Sequence, residues 1–427
     1  MTNWLSTFLI ILCVIPTFLQ AETDPIFSGT EVTLQQVLDY AFEHNPGWKA
    51  GNLRVLQARE KVKEASGWEN LNLSISQFVD PLETRLGPQE TILNFSQKIP
   101  FWGQTEYGEN AANAMVDSSK SGLEQERLTL ITDIKKTWYD LWELQQTREV
   151  LLENQQLLEQ ISSLGSVDNT GGGGTLRSVL KAQTQIGQSA YDLVLVEDRL
   201  ASTNIRLNSL MGRTDMNFFP RIAKPETPEF DATLTAVLDL VQQHSPELKQ
   251  LDANISKSRF EAEQMDAQTA FPGVTLGVNY FVIGEPLNPN MLDAGKDAWN
   301  IMLGISIPWG NSKLSSRASQ AELEAQRTAM LKEHRSNMLR DQTSRVYYKI
   351  INAQRLNTLF QQTLLPHAQN TLSLADRAYR TGQETSMAVL EARNVLLNFQ
   401  ISAIRALADW LRALAELEQL TGKSLAS

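Results

Sequence analysis

The sequence is poor in the residues that build most reactive sites. Its 427 residues include one cysteine, Cys13, so disulfides and thiolate metal sites are closed to the rest of the chain. The four histidines, His44, His244, His334 and His367, are scattered, with no HExxH or other ligand spacing. Basic residues number 38 against 49 acidic ones, and a net charge of −11 leaves no basic face for phosphate backbones. Nucleic acid is therefore not an expected partner. Long apolar runs are missing as well. Only Trp4 to Phe18 is nearly all apolar; it is too short and too early for a membrane span, and Ala21 offers a small residue for cleavage. Residues 1–21 read as a secretory signal peptide, with Cys13 inside it. Beyond them, no stretch approaches the roughly 20 apolar residues a spanning helix needs. If the mature chain crosses a membrane, it must do so as a β-barrel.

What the chain does contain, it contains twice. Thr33-Leu34-Gln35-Gln36-Val37-Leu38-Asp39 leads to His44-Asn45-Pro46, and Thr233-Leu234-Thr235-Ala236-Val237-Leu238-Asp239 leads to His244-Ser245-Pro246, at a constant offset of 200. Each copy is a short amphipathic helix followed by a new start, with Asn45 or Ser245 as N-cap and Pro46 or Pro246 at the first helical position. The ends agree too: Leu207 to Gly212 (LNSLMG) matches Leu417 to Gly422 (LEQLTG) at an offset of 210. An internal duplication follows, with a first repeat over 22–212, a Pro-rich, irregular link over 213–232 and a second repeat over 233–427.

Each repeat changes period once. Leu71, Leu73 and Ile75 alternate with Asn72, Ser74 and Ser76; after a turn-rich segment, Leu93, Phe95 and Ile99 alternate with Asn94, Ser96 and Lys98. The second repeat alternates Val274, Leu276, Val278 and Tyr280 with Thr275, Gly277 and Asn279, then Trp299, Ile301, Leu303 and Ile305 with Asn300, Met302 and Gly304. These predict β-hairpins over 71–100 and 273–308, with strands of about 9–10 residues, the length of a tilted transmembrane strand. The return strands stop on matching phrases, Ile99-Pro100-Phe101-Trp102-Gly103 and Ile307-Pro308-Trp309-Gly310. On a barrel, Leu73, Leu93, Leu276 and Leu303 would face lipid, while Asn72, Asn94, Thr275 and Asn300 would face the lumen. Two hairpins packed on a soluble core would have the same composition.

Helical hairpins follow, over 105–212 and 311–421. Thr105 to Leu164 holds no proline and repeats apolar residues at three- and four-residue steps. Asp168 to Gly174 (DNTGGGG) breaks it, and a helix then runs from about Leu176 to Met211. The second pair runs from Leu314 to Arg380, with a bend expected at Pro366, and on to about Leu420 after the Thr381-Gly382 turn. At ~1.5 Å per residue, each long helix matches the summed length of its return helix and the short helix after Pro46 or Pro246. Each repeat therefore reads as one long helix beside a stack of two shorter ones.

In this order the chain resembles the TolC-like outer-membrane efflux proteins, and more narrowly their CzcC-like, heavy-metal-efflux branch. The resemblance rests on the duplicated TLxxVLD openings, the strand ends IP(F)WG, and the phrases Val179-Leu180-Lys181-Ala182-Gln183 and Val389-Leu390-Glu391-Ala392-Arg393. It implies a mainly α fold with a β part. Coiled-coil helical hairpins would form an α-barrel in a homotrimer, and each copy would give four strands to a 12-stranded transmembrane β-barrel. It also implies an exit duct in the outer membrane of a Gram-negative bacterium, reaching into the periplasm. Its partners would be a periplasmic adaptor (membrane-fusion) protein and an inner-membrane transporter of the RND type, and its cargo metal cations or small toxic molecules.

Site residues follow from the same resemblance. The helix turns would form the periplasmic tip. Tyr379-Arg380-Thr381-Gly382 matches the family's tyrosine–glycine turn, whose tyrosine helps hold the tip closed. Glu391 falls where the family places an acidic ring around the pore constriction, and Ala388 falls on a second, normally acidic, position. On the opposing turn, Ser178 stands where some members have an aspartate that bonds the tyrosine; Arg177 and Gly172 flank it as latch or adaptor contacts.

Enzyme motifs are absent from the sequence, and no cofactor or metal is expected. The Gly171–Gly174 run lacks the Lys-Ser/Thr of a phosphate loop. His44 and His244 each close a helix, where a cation suits the negative end of the dipole. Two rivals are the outlet of a type I protein secretion system and a soluble periplasmic coiled-coil scaffold.

Overall fold

The computed structural model describes residues 31–100, 103–167, 174–214, 219–227, 230–271, 273–290, 292–307, 309–310, 312–423 and 425. The expected signal peptide, Phe101, Trp102, Pro308 and residues 168–173 of the glycine-rich turn lie outside them.

The first repeat opens with β1 (Glu31–Val32) and α1 (Leu34–His44). Thr33 caps α1 reciprocally with Gln36: the Gln36 N–H donates to Thr33 Oγ1 at 3.3 Å, and the Thr33 N–H donates to Gln36 Oε1 at 3.0 Å. α2 (Pro46–Ser66) starts at once, because Asn45 accepts from the Trp48 N–H at 2.9 Å and Pro46 has no N–H to satisfy. The hairpin strands β2 (Asn72–Gln77) and β4 (Gly87–Ile99) follow, with β3 (Glu83–Thr84) folded between them. Next come α3 (Gln104–Val167) and α4 (Gly174–Leu210). After β5 (Arg221–Ile222), the second repeat supplies α5 (Leu234–His244), α6 (Pro246–Ala270), β6 (Gly273–Ile283) and β7 (Ala298–Ser306). It ends with α7 (Ser312–Leu359), α8 (Leu365–Arg380) and α9 (Ser386–Thr421).

Several expectations need correction. The first strand is 6 residues long, not 9 or 10: its last bond to β4 runs from the Phe78 N–H to the Glu90 carbonyl at 2.8 Å, a bend follows at 79–80, and Pro81 has no N–H with which to resume the ladder. Its partner β4 is longer than expected, at 13 residues, and continues into the segment that reads as a loop. Ser245 sits at the N-cap of α6, but its side chain makes no capping bond. At the expected bend, a π-helical turn (Phe360–Leu364) carries the helix into α8 just ahead of Pro366. The wider turn accommodates a ring that would crowd the Gln362 carbonyl.

The link between repeats is not wholly irregular. Val32 pairs with Ile222 in a parallel two-residue ladder. Gln145 of α3 clamps the same segment, accepting from the Ile222 N–H at 2.9 Å and donating to the Pro220 carbonyl at 3.2 Å. Phe219 meets Trp138 edge-on, with ring centroids 6.4 Å apart. This strap closes the main core, which gathers Ile134, Trp138, Leu141, Leu207, Ile350, Leu411 and Leu417.

The helices form a wall of four columns. α2 and α4 stack end to end along one side of α3, and α6 and α9 lie between α3 and α7. The first stack is joined by Asn45, which caps α2 and donates its side-chain amide to the Leu210 carbonyl at 2.7 Å. Gly212 makes that joint possible: its φ is +79°, and a Cβ would stand 2.9 Å from the His44 carbonyl oxygen.

Candidate functional site

The four long strands form one antiparallel sheet in the order β2-β4-β6-β7, so β4 and β6 join the two repeats directly. Residues opposite each other in such a ladder share a face. One row is Leu73, Phe95, Val278 and Ile301; the next is Ile75, Leu93, Tyr280 and Trp299; a third holds Gln97, Leu276 and Leu303. Leu73, Leu93, Leu276 and Leu303 thus lie on one face. The opposite face holds the rows Asn72–Ser96–Gly277–Met302, Ser74–Asn94–Asn279–Asn300 and Lys98–Thr275–Gly304.

The two faces differ in chemistry. The apolar one is uncovered: Ile75 is 65% exposed, Trp299 67%, Ile301 71% and Leu303 60%. A contiguous apolar surface of this kind marks a lipid or protein contact. The polar face carries an amide ladder across three strands. Asn94 donates to Asn279 Oδ1, and Asn279 donates to Asn300 Oδ1 at 2.8 Å. Lys98, on the same face, pairs with Glu69 at 2.6 Å.

At the other end of the helices, α8 closes with two nested backbone bonds. The Gly382 N–H donates to the Tyr379 carbonyl at 3.0 Å and the Gln383 N–H to the Ala378 carbonyl at 2.9 Å, with Gly382 at φ +70°. Tyr379 is half-exposed. Arg380 pairs within its own helix, with Asp376 at 2.9 Å. Arg177 is exposed on α4; the side chain of Ser178, like Gly172, lies outside the described residues. Ala388 sits in the first turn of α9, its N–H donating to the Thr385 carbonyl at 3.0 Å.

Glu391 does not stand alone. Its Oε1 lies 3.7 Å from Lys181 Nζ on α4, in a largely exposed pair. Behind it Leu390, Leu158 and Ala182 form a small buried cluster that brings α9, α3 and α4 together. Two charged residues here escape the motif reading: Lys181 itself, and Arg393. Arg393 lines a cavity of about 190 Å³ with Glu153, Asn154, Gln369 and Gln400. Burial lowers its guanidinium pKa, and the Glu153 charge acts the other way. The signal for Lys181 is in the sequence, since Lys181 and Glu391 occupy the same place in VLKAQ and VLEAR.

The remaining sequence candidates have structural places. His44 Nδ1 lies 3.0 Å from the Tyr40 carbonyl, and its ring stacks on Tyr40 at 4.0 Å. His244 Nδ1 lies 3.3 Å from the Leu240 carbonyl. Among the described residues, no group of three His, Cys, Asp or Glu could hold a metal ion. Among them also, no helix is long and apolar enough to cross a membrane.

Comparison with known proteins matches this architecture. A family model described as "Outer membrane efflux protein" matches residues 37–213 and 237–423, one match per repeat. The pyoverdine export outer membrane protein OpmQ of Pseudomonas putida is 21% identical over 368 residues, 86% of this chain and 76% of that protein. The toluene efflux pump outer membrane protein TtgI of Pseudomonas putida is 22% identical over 413 residues, 91% of this chain and 85% of that protein. The crystal structure of the outer membrane protein VceC from Vibrio cholerae superposes with a TM-score of 0.73 at 19% identity, covering 92% of this chain and 96% of that one.

Proposed function

The chain belongs to the outer membrane efflux protein family, and from that premise we propose that three copies close into one exit duct of a tripartite pump. The carrying observation is a matched pair of open edges. The sheet ends on β2 at one side and β7 at the other. The helical wall ends on the α2–α4 stack at the first side and on α7 and α8 at the second. Leu53, Val194 and Ile205 are exposed along the first helical edge, and Met330, Tyr348 and Leu356 along the second. Unpaired strand edges are a liability that barrel closure removes. Two different edges on one chain make a head-to-tail contact, which forms a ring when the rotation between copies closes, as it does here with three. With four strands per copy the barrel has 12 strands, Leu73, Leu93, Leu276 and Leu303 face lipid, and the amide ladder faces the lumen.

The leader over 1–21 and the repeats 22–212 and 233–427 around the link 213–232 complete this reading. The helix turns with Tyr379, Arg380, Gly382, Arg177, Ser178 and Gly172 form the periplasmic tip, where an adaptor connects the duct to an RND-type transporter. Glu391 and Ala388 stand at the constriction. The cargo is metal cations or small toxic molecules. Support for small organic solutes comes from relatives named for pyoverdine export and toluene efflux; support for the heavy-metal branch comes from the repeated sequence phrases.

Washing membranes with salt and then extracting with detergent tests the assembly. The chain is expected to resist the salt wash, leave in detergent as a particle of three copies, and conduct in planar bilayers. Release by salt, or a detergent particle of one copy, would refute the duct.

A further inference from the structure

Resting on the closed ring of three copies, we propose that the tip carries an alternating ring of Lys181 and Glu391, neutral overall, rather than a ring of like carboxylates. The duplication makes α4 and α9 equivalent helices. α4 and α9 align at one offset of 210, from Val179 and Val389 near the turns to Gly212 and Gly422 at the far ends. Lys181 and Glu391 are therefore the same position with opposite charge. Within one chain they face each other at 3.7 Å.

The packing explains why equivalents meet. If α3 stood squarely between α4 and α9, two interaxial distances, about 16–20 Å, would separate them. Instead Ala182 of α4 and Leu390 of α9 share a buried cluster with Leu158 of α3. Farther from the turn, Leu193 and Val196 of α4 and Leu397 and Ile401 of α9 converge on Leu151. Along this stretch α4 and α9 lie side by side against α3.

The equivalence of the two helices also identifies what covers the free flank of α4. Leu390 is fully buried, yet its equivalent Leu180 is 55% exposed. Ile401 packs into the Leu151 cluster, yet its equivalent Tyr191 is 59% exposed. One flank of α9 is covered by α3 and α4 of its own chain, and the corresponding flank of α4 is left open by the described residues. In the ring, α8 and α9 of the next copy stand where α3 and α4 stand for α9, and α8 offers Leu374, 61% exposed, on that edge. Each Lys181 then lies between two Glu391 side chains, its own and a neighbour's.

The electrostatic consequence is specific. Three like charges in a narrow passage focus a field that sorts ions by sign. Alternating charges cancel within a distance comparable to their spacing, so the tip admits cations, anions and uncharged solutes with little preference. Being exposed, the pair contributes little to stability, so either residue can be neutralised without unfolding the chain.

The test uses the purified full chain in planar bilayers under a KCl gradient. Wild type is expected to show a reversal potential near zero. Lys181→Gln should uncover the carboxylates, raising the cation-to-anion permeability ratio on the order of ten-fold and bringing block by hexaamminecobalt(III). Glu391→Gln should shift the reversal potential toward chloride, and the double variant should return to wild type. A conducting wild type whose selectivity Lys181→Gln leaves unmoved would overturn the ring alone. A wild type without conductance would overturn the duct and the ring with it.

Discussion

Ile301 and Asn300 are neighbours on β7 that point to opposite faces of the sheet, so the same substitution at each measures which face meets lipid. Ile301 is 71% exposed and belongs to the row Leu73–Phe95–Val278–Ile301. Arginine on a lipid-facing barrel position near mid-membrane costs about 2–4 kcal/mol. Per copy that is already a sizeable share of the roughly 5–15 kcal/mol that holds an ordinary domain together, and three copies multiply it to about 6–12 kcal/mol per assembly. Asn300→Arg removes the bond from Asn279, 2.8 Å long, at the open end of the amide ladder. That costs about 1 kcal/mol, because the freed amide turns to water. Unfolding from phospholipid vesicles in denaturant reads both losses through the midpoint. Ile301→Arg is expected to lose about 1–3 kcal/mol more per copy than Asn300→Arg. Equal losses, or a larger loss at Asn300, would refute the assignment of faces.

Two further predictions concern the helices. Gly212 and Gly382 both adopt positive φ, +79° and +70°, so alanine costs roughly 1–2 kcal/mol at either from the backbone alone. At Gly382 no described residue lies within 4 Å of the new Cβ, whereas at Gly212 the His44 oxygen lies 2.9 Å away. Gly212→Ala should therefore destabilise by at least about 1 kcal/mol more than Gly382→Ala in thermal unfolding, and the reverse order would contradict the joint between α4 and α2. Tyr139 has its phenol pushed up to about 12, by burial first and the Glu418 charge second. A raised folded pKa means that this contribution is full below about pH 10, the unfolded value, and fades as pH climbs through about 12. The loss is of order 2–3 kcal/mol. Alkaline unfolding in detergent should show it, and Tyr139→Phe should lack it; an unchanged alkaline profile in the variant would remove Tyr139 from that role.

Much of this protein is legible in local sequence, because the features concerned are set by neighbours a few residues away. Helix starts at Thr33, Asn45 and Thr233 follow from side chains that bond the backbone three residues on. The division of β6 and β7 into an apolar and a polar face follows from strict alternation, which the pleat converts into sides. The duplication is visible as repeated phrases. In two places a longer-range contact overrode the local signal: β4 extends through Gly87-Pro88 because β3 and β6 lie beside it, and the link orders because Val32 and Gln145 hold it. Tertiary structure alone decided how the repeats join. Asn94 meets Asn279 across 185 residues and Asn45 meets Leu210 across 165; no period or propensity encodes which of two equivalent strands or helices will be the neighbour. The same holds at the tip. Lys181 and Glu391 are visible in the sequence as matching positions, but only the convergence of α4 and α9 on Leu158 brings their opposite charges together.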